Sequence, residues 1–182
     1  MLDTHYHLKQ ILPVELHLAE DVIQKVNRSG DLFSVITFGF QDPILIKSAV
    51  SADEAAEAVR SVNIEQRTGG SFSVRFYDSL DLALRKVDNS RPTSLLVISE
   101  GGEDLSRKTF KEAVVRTAQL HLACDVAIVA DHPLYGLRGV QRYGFSLRKL
   151  ATKTHGQYVE VIGGEKTLPR SVDTLSRGIL NR

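Results

Sequence analysis

The sequence has a single cysteine, Cys124, a single methionine and no tryptophan. One thiol cannot form a disulfide within the chain, and it cannot supply a thiolate cluster for zinc or iron–sulfur. No apolar run approaches the roughly 20 residues that a membrane-spanning helix needs. Residues 1–10 are polar and do not resemble a signal peptide. We therefore expect neither a disulfide nor a membrane span in this chain.

An excess of charge of either sign is also missing. Lys and Arg number 23 against 22 Asp and Glu, which leaves a formal net charge of +1. No global field favours a nucleic acid or an anionic membrane surface, so we expect no nucleic-acid partner. A length of 182 residues with 42% hydrophobic residues suits one folded domain over residues 1–182.

Apolar periodicity predicts the elements of the first half. A helix is predicted over residues 14–28, with Leu18, Val22 and Val26 on its buried face. Residues 32–40 and 44–50 are predicted strands, and the short turn between them indicates an antiparallel hairpin. Ser51 and Glu54 form the pattern of a capping box, which predicts a helix to about residue 62. Another helix is predicted around Phe76, Leu80, Ala83, Leu84 and Val87.

Strands and helices alternate through the second half. Residues 94–99 are almost continuously apolar, as in a central parallel strand that is covered on both faces. The remaining segments are a helix at 106–122, a strand at 125–130, a helix at 145–154, a strand at 157–162 and a final helix along Leu168, Val172, Leu175 and Ile179. This order predicts an α/β fold, a doubly wound and mostly parallel sheet with one antiparallel edge strand and helices on both faces.

The start of this predicted sheet is unusually short. A doubly wound domain normally opens on a buried apolar strand, yet only Met1 and Leu2 precede Asp3. We therefore expect a truncated first central strand, and we expect the chain to be part of a longer protein.

Several phrases of the sequence occur in a characteristic order: LDT at residues 2–4, SGDLFSVITF at 29–38, FYDSL at 76–80 and LVISEGGED at 96–104, followed by further phrases between residues 143 and 158. They resemble those of the von Willebrand factor type A (VWA) domain. Their order and spacing are most similar to the bacterial "VWFA-related" subgroup first noted in acidobacteria. The resemblance covers essentially the whole chain.

This resemblance implies a sheet order of 3-2-1-4-5-6 and a metal-ion-dependent adhesion site at the carboxyl ends of the central strands. Such a site uses Asp-x-Ser-x-Ser, a threonine and a second aspartate to bind a divalent cation, Mg²⁺ or Mn²⁺, whose open position takes a carboxylate of a protein ligand. The corresponding residues here are Asp3, His5, His7, Ser73 (or Val74) and Glu100. Imidazole is a poor magnesium ligand, and Glu100 is longer than the aspartate it replaces.

The first hypothesis is therefore a non-enzymatic, adhesion-like protein–protein interaction domain whose metal site is degenerate. Relatives in the subgroup are generally exported, so the resemblance also implies an extracytoplasmic location.

The alternative hypothesis is an enzyme. Asp3, His5, His7 and Glu100 form a set that suits zinc, and zinc would activate a water molecule for hydrolysis. Asp131 and His132 follow a predicted strand and would lie at the same edge of the sheet.

Two other residues carry structural predictions. Cys124 lies beside a predicted strand and is expected to be a small core residue. Asp78 lies near the start of a helix, which its charge would stabilise through the helix dipole.

Overall fold

The computed structural model describes residues 1–4, 11–63, 73–88, 90–100, 103–130 and 145–182, with the backbone alone at residues 73, 103, 104 and 145. The strands are β1 (Leu2–Asp3), β2 (Phe33–Phe38), β3 (Ile44–Val50), β4 (Ser73–Val74), β5 (Ser94–Ser99), β6 (Glu103–Asp104), β7 (Ala123–Ala130) and β8 (Tyr158–Ile162). The helices are α1 (Leu12–Val26), α2 (Ala52–Arg60), α3 (Phe76–Leu84), α4 (Phe110–Gln119), α5 (Phe145–Lys153) and α6 (Leu168–Leu180). Among the residues described here, no helix is both long and apolar enough to cross a bilayer.

Six strands form one sheet in the order β3-β2-β1-β5-β7-β8. All neighbours are parallel except β2 and β3, which pair as the antiparallel hairpin that the sequence predicts. Without the two short strands β4 and β6, which form a separate two-stranded sheet, this order is 3-2-1-4-5-6. The predicted doubly wound sheet with one antiparallel edge strand is therefore confirmed.

Helices cover both faces of the sheet and create two apolar clusters. On one face, α1, α2 and α6 pack around residues such as Leu18, Val59 and Leu175. On the other face, α3, α4 and α5 pack around residues such as Phe76, Leu80 and Leu150. Every residue of β7 is buried, as expected of a central parallel strand between two helical layers.

The first central strand is truncated, as predicted. Its two residues lie between β2 and β5, which have six residues each. Leu2 lies opposite Thr37 on one side and Ile98 on the other. Beyond Met1, toward the amino ends of the strands, a cavity of about 810 Å³ extends between β2 and β5.

One predicted helix begins clearly later than expected. The helix expected at residues 106–122 is α4, which begins only at Phe110, after a capping box between Thr109 and Glu112. The preceding residues are held by pairing of β6 with β4, which periodicity could not reveal because each strand has only two residues.

The turn from α5 into β8 needs a glycine. A Cβ atom at Gly156 would lie 2.0 Å from the carbonyl oxygen of Cys124. The backbone at Gly156 therefore lies directly against the backbone of β7, with no room for a side chain. Cys124 is fully buried in the cluster beside α5, which confirms its prediction as a core residue.

Candidate functional site at the carboxyl edge of the sheet

Asp3 and Ser99 end two neighbouring parallel strands, β1 and β5. Both residues are buried, and the Ser99 hydroxyl donates a hydrogen bond of 2.6 Å to Oδ2 of Asp3. Thr4 directly follows β1 and joins it to the end of β2. Its amide and its hydroxyl both donate hydrogen bonds to the carbonyl oxygen of Phe38, at 2.8 and 3.1 Å. The carboxylate predicted as the first metal ligand is therefore part of a buried hydrogen-bonded junction between strands.

The other predicted ligands are described to different extents. Glu100 directly follows β5 and is half-buried, so it lies at the same edge as Asp3. Ser73 begins β4, where only its backbone is described. His5 and His7 lie outside the described residues, as do Asp131 and His132. The structure thus brings Asp3 and Glu100 to one edge and leaves the histidines as predictions.

The short strand β4 is joined to this edge through the backbone. The amide of Arg75, directly after β4, donates a 2.8 Å hydrogen bond to the carbonyl oxygen of Gly39, directly after β2. On the other side of β4, the amide of Leu105 donates a 2.8 Å bond to Val74. Strand β4, which begins at Ser73, is therefore tied to the ends of β2 and β6.

Glu15 is a buried residue of this region that the sequence analysis missed. It lies in the first turn of α1 and is fully buried, and neither carboxylate oxygen has a hydrogen-bond partner among the described residues. Burial raises the pKa of Glu15 well above its ordinary value, and the charges of Asp3 and Glu100 raise it further. The sequence already indicated this burial, because Glu15 lies on the same helical face as the apolar residues Leu12 and Leu18.

These carboxylates do not by themselves make a metal centre. Within the ranges that the structure describes, no group of three or more His, Cys, Asp or Glu side chains is placed to hold a metal ion. The oxygen donors Asp3, Glu15 and Glu100 are chemically suited to a hard divalent cation, but their described arrangement does not fit one.

Asp78 organises the loop before α4. Its carboxylate accepts the backbone N–H groups of Arg107 and Lys108 at 3.1 Å, while its own amide donates to the hydroxyl of Ser106 at 3.1 Å. The prediction that Asp78 acts only through the dipole of its helix was therefore incomplete. Its main contacts hold the β6–α4 loop against the start of α3.

A shallow cleft of about 530 Å³ opens beside this loop. Its lining comes from the β2–β3 turn, the start of α3 and the β6–α4 loop: Phe40, Gln41, Asp42, Pro43, Ile44, Arg75 and Arg107. Nη1 of Arg75 donates to Oδ1 of Asp42 at 2.7 Å, whereas its buried Nε has no partner among the described residues. Arg107 is exposed. The cleft at the carboxyl edge of the sheet therefore holds one ion pair, Arg75–Asp42, and one further guanidinium group, that of Arg107, and we call it the cationic cleft.

The single thiol is unsuited to nucleophilic catalysis. Burial raises the pKa of Cys124 to about 12, with a further contribution from the charge of Asp125. A thiol must ionise to act as a nucleophile, so Cys124 is structural.

Comparisons with known proteins address the fold. No family model and no curated protein matches the chain. Among solved structures, the chain is similar to the conserved hypothetical protein BatB of Bacteroides thetaiotaomicron, with a TM-score of 0.66 and 15% identity over 100% of this chain and 97% of that one. It is also similar to a von Willebrand factor type A protein of Catenulispora acidiphila, with a TM-score of 0.68 and 13% identity over 98% of this chain.

A third similar structure is proximal thread matrix protein 1 of the mussel byssus, with zinc in its adhesion-site motif. The TM-score is 0.70 and the identity 13% over 97% of this chain. This chain spans 41% of the Catenulispora protein and 43% of the mussel protein, less than half of each. With its strand order and antiparallel edge, the chain therefore has the von Willebrand factor type A fold.

Proposed function

We propose that this chain is a non-enzymatic protein-interaction domain whose metal-ion-dependent adhesion site is degenerate. The observation that carries the proposal is the burial and hydrogen bonding of Asp3. Such a site has a cation-binding aspartate followed by two serines, whereas here Asp3 is buried with a hydrogen bond from Ser99 and both serine positions are histidines, His5 and His7. This arrangement supports recognition of a protein partner without a bound cation.

The cationic cleft is the proposed contact surface. Arg75 and Arg107 supply guanidinium groups at the carboxyl edge, and two large apolar side chains are exposed in the segments beside them, Ile44 at 55% and Leu105 at 50%. Exposed apolar side chains next to arginines are typical of protein interfaces. The partner surface that fits this cleft carries carboxylates around an apolar contact.

The proposal is tested by capturing proteins from a lysate of the source organism on the immobilised chain, with either Mg²⁺ or a chelator. We expect the same specific partner under both conditions. Arg107→Glu should weaken its capture at least tenfold, whereas Arg116→Glu, an exposed substitution on α4, should leave it unchanged. Strict dependence on Mg²⁺ would contradict the degenerate site, and equal capture by the Arg107 variant would contradict the cleft.

The zinc-enzyme alternative remains a prediction from His5, His7 and Glu100. The mussel structure, which holds zinc in its adhesion-site motif, makes a metal titration worthwhile. Elemental analysis followed by calorimetric titration with Mg²⁺, Mn²⁺ and Zn²⁺ tests it. The enzyme hypothesis would be favoured over the interaction proposal if the chain bound one equivalent of zinc, lost that binding in His5→Ala, and showed esterase or phosphoesterase activity.

The extracytoplasmic location implied by the resemblance is likewise a proposal. Cell fractionation with an antibody against this domain tests it, and recovery of the protein in the cytoplasm alone would contradict it.

A further inference from the structure

The ion pair between Asp42 and Arg75 uses one of the five N–H donors of the arginine. Nη1 of Arg75 donates a hydrogen bond of 2.7 Å to Oδ1 of Asp42, and among the described residues this is the only hydrogen bond of the Asp42 carboxylate. A pair at the end of α3 is different, because Nε and Nη2 of Arg85 both donate to Oδ2 of Asp81, at 3.0 and 2.6 Å. Asp42 is therefore held less firmly than a carboxylate beside an arginine can be.

The two members of the Asp42–Arg75 pair also differ in how they are anchored. The side chain of Asp42 is 86% exposed in the β2–β3 turn, whereas that of Arg75 is only 28% exposed. The backbone of Arg75 is fixed on both sides, because its amide donates to Gly39 and its carbonyl oxygen accepts from the amide and the hydroxyl of Ser79, at 3.1 and 2.7 Å. Arg75 is thus an anchored cation, and Asp42 is an exposed anion that another carboxylate can replace at little cost.

Nε of Arg75 is a buried donor that Asp42 leaves unused. No oxygen in the described part of the chain accepts a hydrogen bond from it. A buried N–H group without an acceptor destabilises the state that contains it, because the group has lost its water and gained no partner. A carboxylate that approaches Arg75 as Asp81 approaches Arg85 would accept from Nε and from a terminal nitrogen together. The unpaired donor therefore favours a second acceptor at this guanidinium group.

Arg107 brings a second guanidinium group to the same cleft. Its amide donates to Asp78 at 3.1 Å, which fixes its backbone beside the start of α3. Its side chain is exposed and has no acidic partner among the side chains that are described. Asp42 is the only carboxylate among the residues that line the cleft. When Asp42 is displaced, the lining therefore carries two cations and no anion.

We propose that Arg75 is the binding site for one carboxylate side chain of the protein partner, and that Asp42 occupies this site in the free domain until the partner displaces it. The partner carboxylate accepts from Nε and a terminal nitrogen of Arg75, while Arg107 attracts it from the rim of the cleft. Asp42 is thus a built-in competitor that lowers the affinity for the partner. This inference rests on the proposed function, because it names the group that binds in the cationic cleft.

The probe is the peptide acetyl-Leu-Glu-Leu-amide at millimolar concentration, with acetyl-Leu-Gln-Leu-amide as its neutral match. Binding is followed by the NMR signal of the Nε–H group of Arg75 in the full chain. The glutamate peptide should shift this signal and the glutamine peptide should not. Arg75→Lys should weaken binding of the glutamate peptide about fivefold or more, because an ammonium group keeps the charge but cannot form the paired hydrogen bonds. That binding is followed by backbone amide signals of residues 39–44.

Asp42→Asn is the decisive variant. It removes the competitor from an exposed turn and should tighten binding of the glutamate peptide about threefold or more. Asp53→Asn removes an exposed carboxylate at the amino edge of the sheet, where β3 ends and α2 begins, and should leave the affinity unchanged. The gain from Asp42→Asn should disappear in the Arg75→Lys background, because the variant acts by freeing this guanidinium group.

Four results would overturn the proposal. The first is an affinity for the glutamate peptide that Asp42→Asn leaves unchanged or weakens. The second is equal binding of the glutamine peptide, and the third is no binding of the glutamate peptide at all. The fourth is binding of sodium acetate as tight as that of the peptide, which would assign the site to a free anion.

The lysate capture separates this inference from the proposed function. If Arg107→Glu weakens capture of the partner and Asp42→Asn does not strengthen it, the cleft is the contact surface and the displacement of Asp42 is wrong. If the peptide results are as expected and neither variant changes the capture, the carboxylate site is supported and the proposed contact surface is wrong.

Discussion

Two buried carboxylates, at opposite ends of the same sheet, differ in their partners. Asp125, near the amino end of β7, accepts hydrogen bonds from both terminal nitrogens of Arg182, at 2.9 and 2.5 Å, and from the amide of Gln157 at 2.7 Å. Glu15, in the first turn of α1, is equally buried and has no such partner among the described residues. The charge of Asp125 is therefore compensated by its partners, whereas a charge on Glu15 would have no such compensation among the described residues.

The largest effect is expected from removing the partner of Asp125. Arg182→Met leaves a fully buried carboxylate without its cation and should lower the free energy of unfolding by about 3–5 kcal/mol. Urea denaturation measures this change. Arg177→Met, at an exposed position of α6, is the matched control and should have little effect. A loss below about 1 kcal/mol would contradict a structural role for the Asp125–Arg182 pair.

Glu15→Gln should raise the free energy of unfolding, and the size of the increase should depend on pH. The folded state binds the proton of Glu15 more tightly than the unfolded state does, because burial and the charges of Asp3 and Glu100 raise the folded pKa. This contribution to stability is complete below the unfolded pKa of about 4.3 and is lost as the pH rises from there through the raised folded pKa.

The Glu15→Gln variant has no carboxylate at this position and therefore does not lose this stability as the pH rises. Its free energy of unfolding should match that of the wild type near pH 4 and exceed it at higher pH, by an increment of at most about 1.4 kcal/mol per pH unit. Thermal and urea unfolding between pH 4 and 8, in chelator, provide the measurement. Glu57→Gln, an exposed substitution on α2, should show no such divergence. A parallel pH profile for Glu15→Gln and the wild type would show that Glu15 is ionised and compensated in the folded state.

A smaller effect is expected at the Asp3–Ser99 junction. Ser99→Ala removes the hydroxyl that donates to Asp3 and should cost about 1.5–3 kcal/mol, the range for a hydrogen bond to a charged group. The cost is measured by urea denaturation at pH 7. Ser90→Ala, in the exposed turn after α3, is the control. No loss in Ser99→Ala would mean that this bond does not hold the strand ends together.

The smallest effect is expected for an exposed ion pair. Asp173 on α6 pairs with Lys25 on α1, and both side chains are about half exposed. Solvent screens such pairs, so Asp173→Asn should leave the Tm unchanged within error at physiological salt. A clear drop in Tm would show that contact between α1 and α6 depends on this pair.

The sequence alone determined the order of the main elements. Long apolar patterns, such as those of α1, β5 and β7, predicted their elements because core burial enforces a regular spacing of apolar residues. The capping box at Ser51 and Glu54 marked the start of α2, and the resemblance gave the strand order. The truncation of β1 was also visible, since only two residues precede Asp3.

Only the tertiary structure decided which polar groups meet. The pairing of β4 with β6, the contacts of Asp78 with the loop before α4 and the bond between Arg182 and Asp125 join residues that are far apart in the sequence. Local periodicity carries no information on such contacts, because they depend on how separate elements pack. Glu15 shows the same limit: its position on an apolar helical face was readable, but the absence of a partner among the described residues required the packed structure.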